Sequence, residues 1–183
     1  MKKITVLMAS ATLFLFSCGE GPIEVEKTTV LKKITLTAED SIPNGSIRVK
    51  GIGHSGDYAY RTDSLSQYGF GIQENFDDSL INTSIRVCVD FWVKSSSPLK
   101  GDGLALSYNL KETIIFWQSF DPFIYGAKPN EWINIKDSVT FHADQFKESG
   151  MLVKLFGFNA NKKAIVDFDD INITIKNVYT VSE

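Results

Sequence analysis

The chain of 183 residues is poor in the groups that most chemistry needs. It has two cysteines, Cys18 and Cys88, which excludes a cysteine-rich metal centre or a disulfide framework. It has two histidines, His54 and His142, and neither has a Ser, Cys or metal-ligand partner at a recognisable spacing, so nucleophilic or zinc catalysis has no visible basis. Basic blocks are missing and net charge is −3, which excludes the clustered Lys and Arg that hold nucleic acid backbones. No glycine-rich phosphate loop is present, since Gly69-Phe70-Gly71 sits within an apolar-alternating run. No stretch keeps helical periodicity for three turns, and no internal repeat points to a propeller or solenoid. Carboxylates that could in principle hydrolyse a glycoside are present at Asp77-Asp78, Glu131 and Asp167/Asp169, but acidic residues in loops and at a strand irregularity need no such role.

The one long apolar run is at the start. Lys2 and Lys3 precede 13 apolar-rich residues, Ile4 to Phe16, then Ser17 and Cys18. The run is too short for a membrane span, which needs roughly 20 apolar residues, and has the layout of a secretory signal. Leu15-Phe16-Ser17-Cys18 resembles the lipobox of bacterial lipoproteins. The resemblance implies cleavage after residue 17 and an acylated Cys18 anchored in the lipid bilayer. It also implies that Cys88 has no disulfide partner, so that Cys88 is expected to be a small buried residue. Gly19 lacks the Asp that resembles an inner-membrane retention signal, which points to the outer membrane of a bacterial envelope. Without the signal, 19 − 2 = 17 basic residues face 22 acidic ones, a net of about −5. Residues 18–28 read as a tether, and 29–183 as a single β domain.

Period-two alternation dominates that domain. Ile85, Val87, Val89, Phe91 and Val93 alternate with Arg86, Cys88, Asp90, Trp92 and Lys94, a strand with one face in the core. Further strands are expected at 29–37, 45–51, 57–62, 68–73, 103–110, 113–119, 132–141, 151–158 and 164–176, with a single helical turn at 144–149. Turn residues separate them, among them Pro43-Asn44-Gly45, Gly101-Asp102-Gly103 and Lys128-Pro129-Asn130. About ten short strands at this spacing mean an all-β sandwich or barrel. In the last strand Ala164, Val166 and Phe168 hold the even phase, whereas Ile171, Ile173 and Ile175 hold the odd one. A one-residue slip reverses every side chain, so a bulge is expected at Asp169-Asp170.

Five further stretches follow one another along the chain: Ala38-Glu39-Asp40, His54-Ser55-Gly56-Asp57-Tyr58-Ala59, Val89-Asp90-Phe91-Trp92-Val93-Lys94, Glu131-Trp132-Ile133 and Phe168-Asp169-Asp170-Ile171. Together they resemble elements of galactose-binding-like jelly rolls, in particular carbohydrate-binding modules of the family 4/9 type. The resemblance implies a jelly-roll β-sandwich of two antiparallel sheets with about 8–10 strands, and a non-catalytic module binding glycan. It further implies a structural Ca²⁺ held by Glu39, backbone oxygens of residues 54–57 with Asp57, and Asp169; otherwise these carboxylates are solvated or pair with Lys50 or Arg61.

The densest aromatic stretch, Trp117-Gln118-Ser119-Phe120-Asp121-Pro122-Phe123-Ile124-Tyr125, runs off a strand into a loop. Trp117, Phe120, Asp121, Phe123 and Tyr125 are the candidate ligand-binding residues, because ring faces cover the apolar patches of sugars and exposed apolar patches mark interaction sites. The alternative is that Phe120, Phe123 and Tyr125 fold back to plug one end of the sandwich. Tyr68 and Phe70 are expected in the core. Trp92 is either open on a sheet face or covered by a neighbouring segment. Functionally the reading is an envelope binding module for glycan, against an envelope structural or adhesion protein with a protein partner and, behind both, a small glycan-active enzyme.

Overall fold

The computed structural model describes residues 24–182 apart from 41, 42, 44 and 45; the signal segment and Cys18 lie outside the described residues. Ten strands follow in order: β1 (Glu24–Leu36), β2 (Ile47–Lys50), β3 (Tyr58–Thr62), β4 (Tyr68–Asn75), β5 (Ser84–Ser95), β6 (Gly103–Leu110), β7 (Thr113–Phe120), β8 (Trp132–Phe141), β9 (Met151–Phe158) and β10 (Val166–Ser182). Two single 3-10 turns, Asp78–Leu80 and Ala143–Gln145, are the only helical elements among the described residues. The strands form a jelly-roll β-sandwich. One sheet runs β2-β3-β10-β5-β8, with β1 also on β10; the other runs β4-β9-β6-β7.

Alternation sets which face is buried. In β5 the Ile85, Val87, Val89, Phe91 and Val93 stripe is buried as expected, against Leu104, Leu106 and Tyr108 of β6 and Val153 and Leu155 of β9 in the same core. Phe70, Phe120, Phe146 and Phe168 complete it. Cys88 points to the other face, free and half-buried rather than buried, opposite Ser138 and Thr174.

The expected bulge is present. The β10–β5 register shifts between Asp169 and Asn172, and Asp170 takes φ 49°, a left-handed conformation that Asp tolerates. It keeps Val166 and Phe168 on the core side before the slip and Ile171, Ile173 and Ile175 on it after. The bulge also divides one edge of β10: residues 166–168 pair with β3 and residues 171–182 with β1.

The structure differs from the sequence reading in several places. Strand β1 starts at Glu24, inside the expected tether, because β10 continues to Ser182 and supplies twelve residues of partner. Tyr68 is not a core residue: a register shift between Tyr68 and Gly71 turns it outward while Phe70 stays buried. The helical turn sits at 143–145, and residues 147–150 are exposed. The pairings place the 63–67, 96–102, 121–131 and 159–165 connections at one end of the sandwich, and the start of β1 with the end of β10 at the other.

Candidate functional site

The outer face of the four-stranded sheet carries a groove that follows from three strand patterns. Along β9, Met151, Val153, Leu155 and Gly157 face the core, so Leu152, Lys154, Phe156 and Phe158 face out. Register sets Ala105 of β6 beside Phe156 and Ser107 beside Lys154. These outward β6 residues, with Asn109, are nonetheless buried, because short side chains lie between taller neighbours. Ala105, Ser107 and Asn109 are thus the floor. The walls are aromatic. Trp117 of β7, opposite Ser107, meets Phe156 and Phe158 edge-on with centroids 5.3 Å from each. Tyr68 of β4 lies 5.8 Å from Phe156 and 5.4 Å from Phe158. Such contacts stabilise the cluster by about 0.5–1.5 kcal/mol per pair beyond area burial, while Tyr68 and Trp117 keep 56% and 41% of their surface in water.

Two depressions open between these walls. One of about 460 Å³ is lined by Gly71, Ile72, Gln73, Lys154 and Phe156. The other, about 280 Å³, is lined by Tyr68, Ser107, Asn109, Ile114, Trp117, Lys154 and Phe156. Lys154 and Phe156 belong to both. Gly71 opens the first: a Cβ there would meet nothing within 4 Å. On the floor, Ser107 Oγ donates to Asn109 Oδ1 at 2.9 Å, which orients the amide. The surface therefore offers aromatic rings, an amide, a hydroxyl and one ammonium.

Of the candidate residues, Trp117 alone belongs to this groove. Phe120 is wholly buried in the core, where β7 passes Leu104 of β6. Asp121 is buried too, its carboxylate accepting from Gly101 N at 2.6 Å and Phe123 N at 2.9 Å; it ties two connections together and presents no free oxygen to a ligand. Tyr125 folds over the sandwich edge against the core and donates its hydroxyl to Asp137, and burial with that neighbouring carboxylate holds the phenol well above its ordinary range. Phe123 is exposed on the 121–127 turn, without ring contact to the groove cluster. The plug reading thus holds for Phe120 and Tyr125. Sequence reasoning missed Tyr68, Phe156, Phe158, Lys154, Ser107 and Asn109. The available signal was aromatic residues on the non-core phase of β9 opposite small ones in β6.

On the opposite sheet, the question of Trp92 is answered by His54. The turn between β2 and β3 lays the His54 ring on Trp92, centroids 3.7 Å apart and nearly parallel, with Trp132 edge-on at 5.7 Å. Bulge residues hold this turn in place. Asp169 Oδ2 accepts from His54 N at 2.9 Å and Ser55 N at 3.3 Å, and its Oδ1 from Asp170 N at 2.9 Å. Asp170 binds the His54 ring nitrogen at 2.9 Å and Ser55 Oγ at 2.6 Å. From the other side Glu39 Oε1 accepts from Tyr58 N at 2.7 Å. A Cβ at Gly56 would stand 2.5 Å from that oxygen, so a side chain there would displace the Glu39 carboxylate. Asp57 points outward, 4.0 Å from Lys50. Among the described residues no three His, Cys, Asp or Glu side chains converge as a metal cage. As placed, Glu39, Asp57 and Asp169 do not converge on one point: Glu39 Oε1 and both oxygens of Asp169 accept amide N–H groups, and Asp57 faces away.

Nearby, Arg61 grips Asp167 with Nε at 2.7 Å and Nη2 at 3.1 Å, and Lys94 Nζ lies 3.4 Å away. That carboxylate keeps the Arg61 guanidinium above its already high ordinary pKa.

No known family's sequence profile matches the chain, and no curated protein matches it. Among solved structures it is similar to the CBM22-2 xylan-binding domain from Paenibacillus barcinonensis, at 15% identity and TM-score 0.46, over 77% of this chain and 98% of that one. It is similar also to the C-terminal CBM6 of a marine laminarinase from Zobellia galactanivorans, at 17% and 0.37, over 78% and 99%. A third is the CBM27-1 of Caldicellulosiruptor saccharolyticus, in complex with mannohexaose, at 13% and 0.33, over 78% and 96%. These neighbours are carbohydrate-binding modules; at such identities and TM-scores their ligands say nothing about the groove described above.

Proposed function

We propose that this chain is a lipid-anchored, non-catalytic binding module of the bacterial envelope that holds glycan on the outer face of the β4-β9-β6-β7 sheet. The observation that carries the reading is the exposed Tyr68–Phe156–Phe158–Trp117 ring cluster standing beside a recessed floor with Ser107 and Asn109. Ring faces remove the apolar C–H side of a pyranose from water, and amide and hydroxyl groups match its hydroxyls. That set binds and orients. Covering 50–100 Å² of ring with sugar contributes about 1–2.5 kcal/mol at roughly 25 cal/mol per Å². Trp117→Ala should therefore lower affinity about tenfold or more. Affinity electrophoresis of the full chain through gels containing a panel of polysaccharides tests this: retardation is expected, with Trp117→Ala running faster. A wild-type protein unretarded by every polysaccharide would sink the glycan reading and favour a protein partner.

The anchor is tested separately. Cys18→Ser should abolish palmitate labelling and release the protein from the membrane fraction, since acyl chains contribute about 0.8 kcal/mol per buried methylene.

A further inference from the structure

We propose that the ligand of the groove is an anionic glycan, one carrying carboxylate or sulfate groups, and that Lys154 is the residue that selects it. The inference rests on the groove being the glycan site and goes beyond it to the charge of the ligand.

Lys154 stands on β9, an inner strand of its sheet, pointing out between Gln73 of β4 and Ser107 of β6. It is half-buried and lines both depressions. Five other strand cations have carboxylates at hand: Arg61 and Lys94 share Asp167, Lys136 has Asp90 at 2.9 Å, Arg86 has Glu26 at 2.8 Å and Lys32 has Glu74 at 2.6 Å. The Lys154 ammonium has no ion pair and lies over no ring among the described residues. Its neighbours Gln73, Ser107, Asn109 and Phe156 are neutral, and no carboxylate lines either depression.

This is an unusual place for a lone cation. The chain as a whole is acidic, with 22 acidic against 19 basic residues, yet the residues lining its aromatic groove include a positive charge and no negative one. Partial burial costs an ammonium solvation, and an anion brought to it recovers that cost through a charge-assisted hydrogen bond. Lys154 and Phe156 are two residues apart on one strand face, about 6.6–6.8 Å. A pyranose with its apolar face on Phe156 or Trp117 therefore directs an exocyclic acid group toward the ammonium, while Gln73 and Asn109 remain for its hydroxyls. Neutral glycans would fill the same rings and leave Lys154 without a partner.

The test compares matched glycans by isothermal titration with the full chain: polygalacturonate against its carboxyl-reduced form, and a sulfated galactan against its desulfated form. The wild-type protein should prefer at least one acidic member over its neutral counterpart by about tenfold or more, the range of a charge-assisted hydrogen bond. The preference should shrink as salt rises. Lys154→Gln should remove the preference, read as the ratio of acidic to neutral affinity, and Lys154→Arg should restore it. Trp117→Ala should weaken both forms together. Equal binding of both members of each pair, or a preference that survives in Lys154→Gln, overturns the anionic inference and leaves the groove standing. Failure of the wild-type protein to bind any of the four overturns the anionic inference, and the polysaccharide panel then decides the glycan reading.

Discussion

Substituting isoleucine for Gly71 should stabilise the protein and block its groove at once. Gly71 lies in β4, at the edge of its sheet, opposite Phe156. Its φ is not left-handed, and a Cβ would meet nothing within 4 Å, so neither backbone nor neighbours resist a side chain. Glycine in a strand interior costs roughly 0.5–1 kcal/mol relative to alanine, and a branched side chain across from an aromatic contributes about 0.2–1 kcal/mol more. Gly71→Ile should thus stabilise by about 1 kcal/mol, a rise in melting temperature of about 2–4 °C for a domain of this size. The same four-carbon side chain projects into the depression of about 460 Å³ shared with Lys154 and Phe156. Glycan affinity should fall about tenfold or more. Scanning calorimetry and titration on one preparation read both effects. Opposite signs separate the groove from general damage to the fold. A folded Gly71→Ile protein that binds like the wild type would refute the placement of ligand between β4 and β9, and a melting temperature lowered by several degrees would refute the open space beside Gly71.

Phe120→Ala should destabilise by about 3–5 kcal/mol in urea, as for a buried aromatic, while the folded fraction binds glycan with unchanged affinity; a selective loss of binding would return Phe120 to the site. Asp102 is fully buried, and neither carboxylate oxygen makes a hydrogen bond of good geometry although the Asn161 and Ala160 amides face it. Burial first, with the nearby Asp121 charge, raises its pKa against the lowering effect of those amides. A carboxyl raised above its unfolded value of about 3.9 holds its proton more readily when folded, so stability falls as pH rises through that window. Asp102→Asn should therefore raise the melting temperature at pH 7, with the advantage fading as pH approaches 4; an advantage that grows on acidification would contradict the assignment. Because amides already occupy Asp169 and Glu39, EDTA and added calcium should both leave the melting temperature unchanged, and a rise with calcium would mean that a cation shares those carboxylates.

The fold was largely legible because period-two alternation is a direct record of which face is buried. Strands β5, β6, β8 and β9 lie within a residue of where alternation and turn residues put them. Even the phase flip at Asp169-Asp170 could be read as a bulge, since a slip that left Ile171, Ile173 and Ile175 facing water would be costly. The site was less legible. Alternation shows that Phe156 and Phe158 leave the core, but not that Ala105, Ser107 and Asn109 lie beside them; that follows from the β6–β9 register, a pairing of strands some fifty residues apart in sequence. Aromatic density was misleading in residues 117–125, because the loop after β7 folds back onto the sandwich edge through Tyr125 and Asp121. His54 shows the limit differently. Nothing local says that a turn histidine will cover a tryptophan on another strand, and the stack exists because Asp169 and Asp170 at the bulge pin that turn from 115 and 116 residues away.

The pairing of β1 with β10 also narrows the consequence of an anchor at Cys18. If residues 24–28 formed part of a tether, the domain could stand well off the membrane. Instead Glu24 is already bound across from Ser182. Six residues from Cys18 can span at most about 20–22 Å, whatever their conformation. With Cys18 acylated, the start of β1 and end of β10 would mark the membrane-proximal end, and the 63–67 and 121–131 connections the distal one. The eight residues of β9, about 27 Å of strand, carry Leu152 near the proximal end and Phe158 near the distal end. The aromatic walls thus lie toward the outer half of the sandwich and the depression at Lys154 nearer its middle. A polymer in this groove would be held within about 50 Å of the bilayer surface. A cross-linker placed at Leu65, on the 63–67 connection, should therefore capture glycan more readily than one at Glu112, on the turn between β6 and β7. The reverse order would mean that the groove opens toward the membrane end.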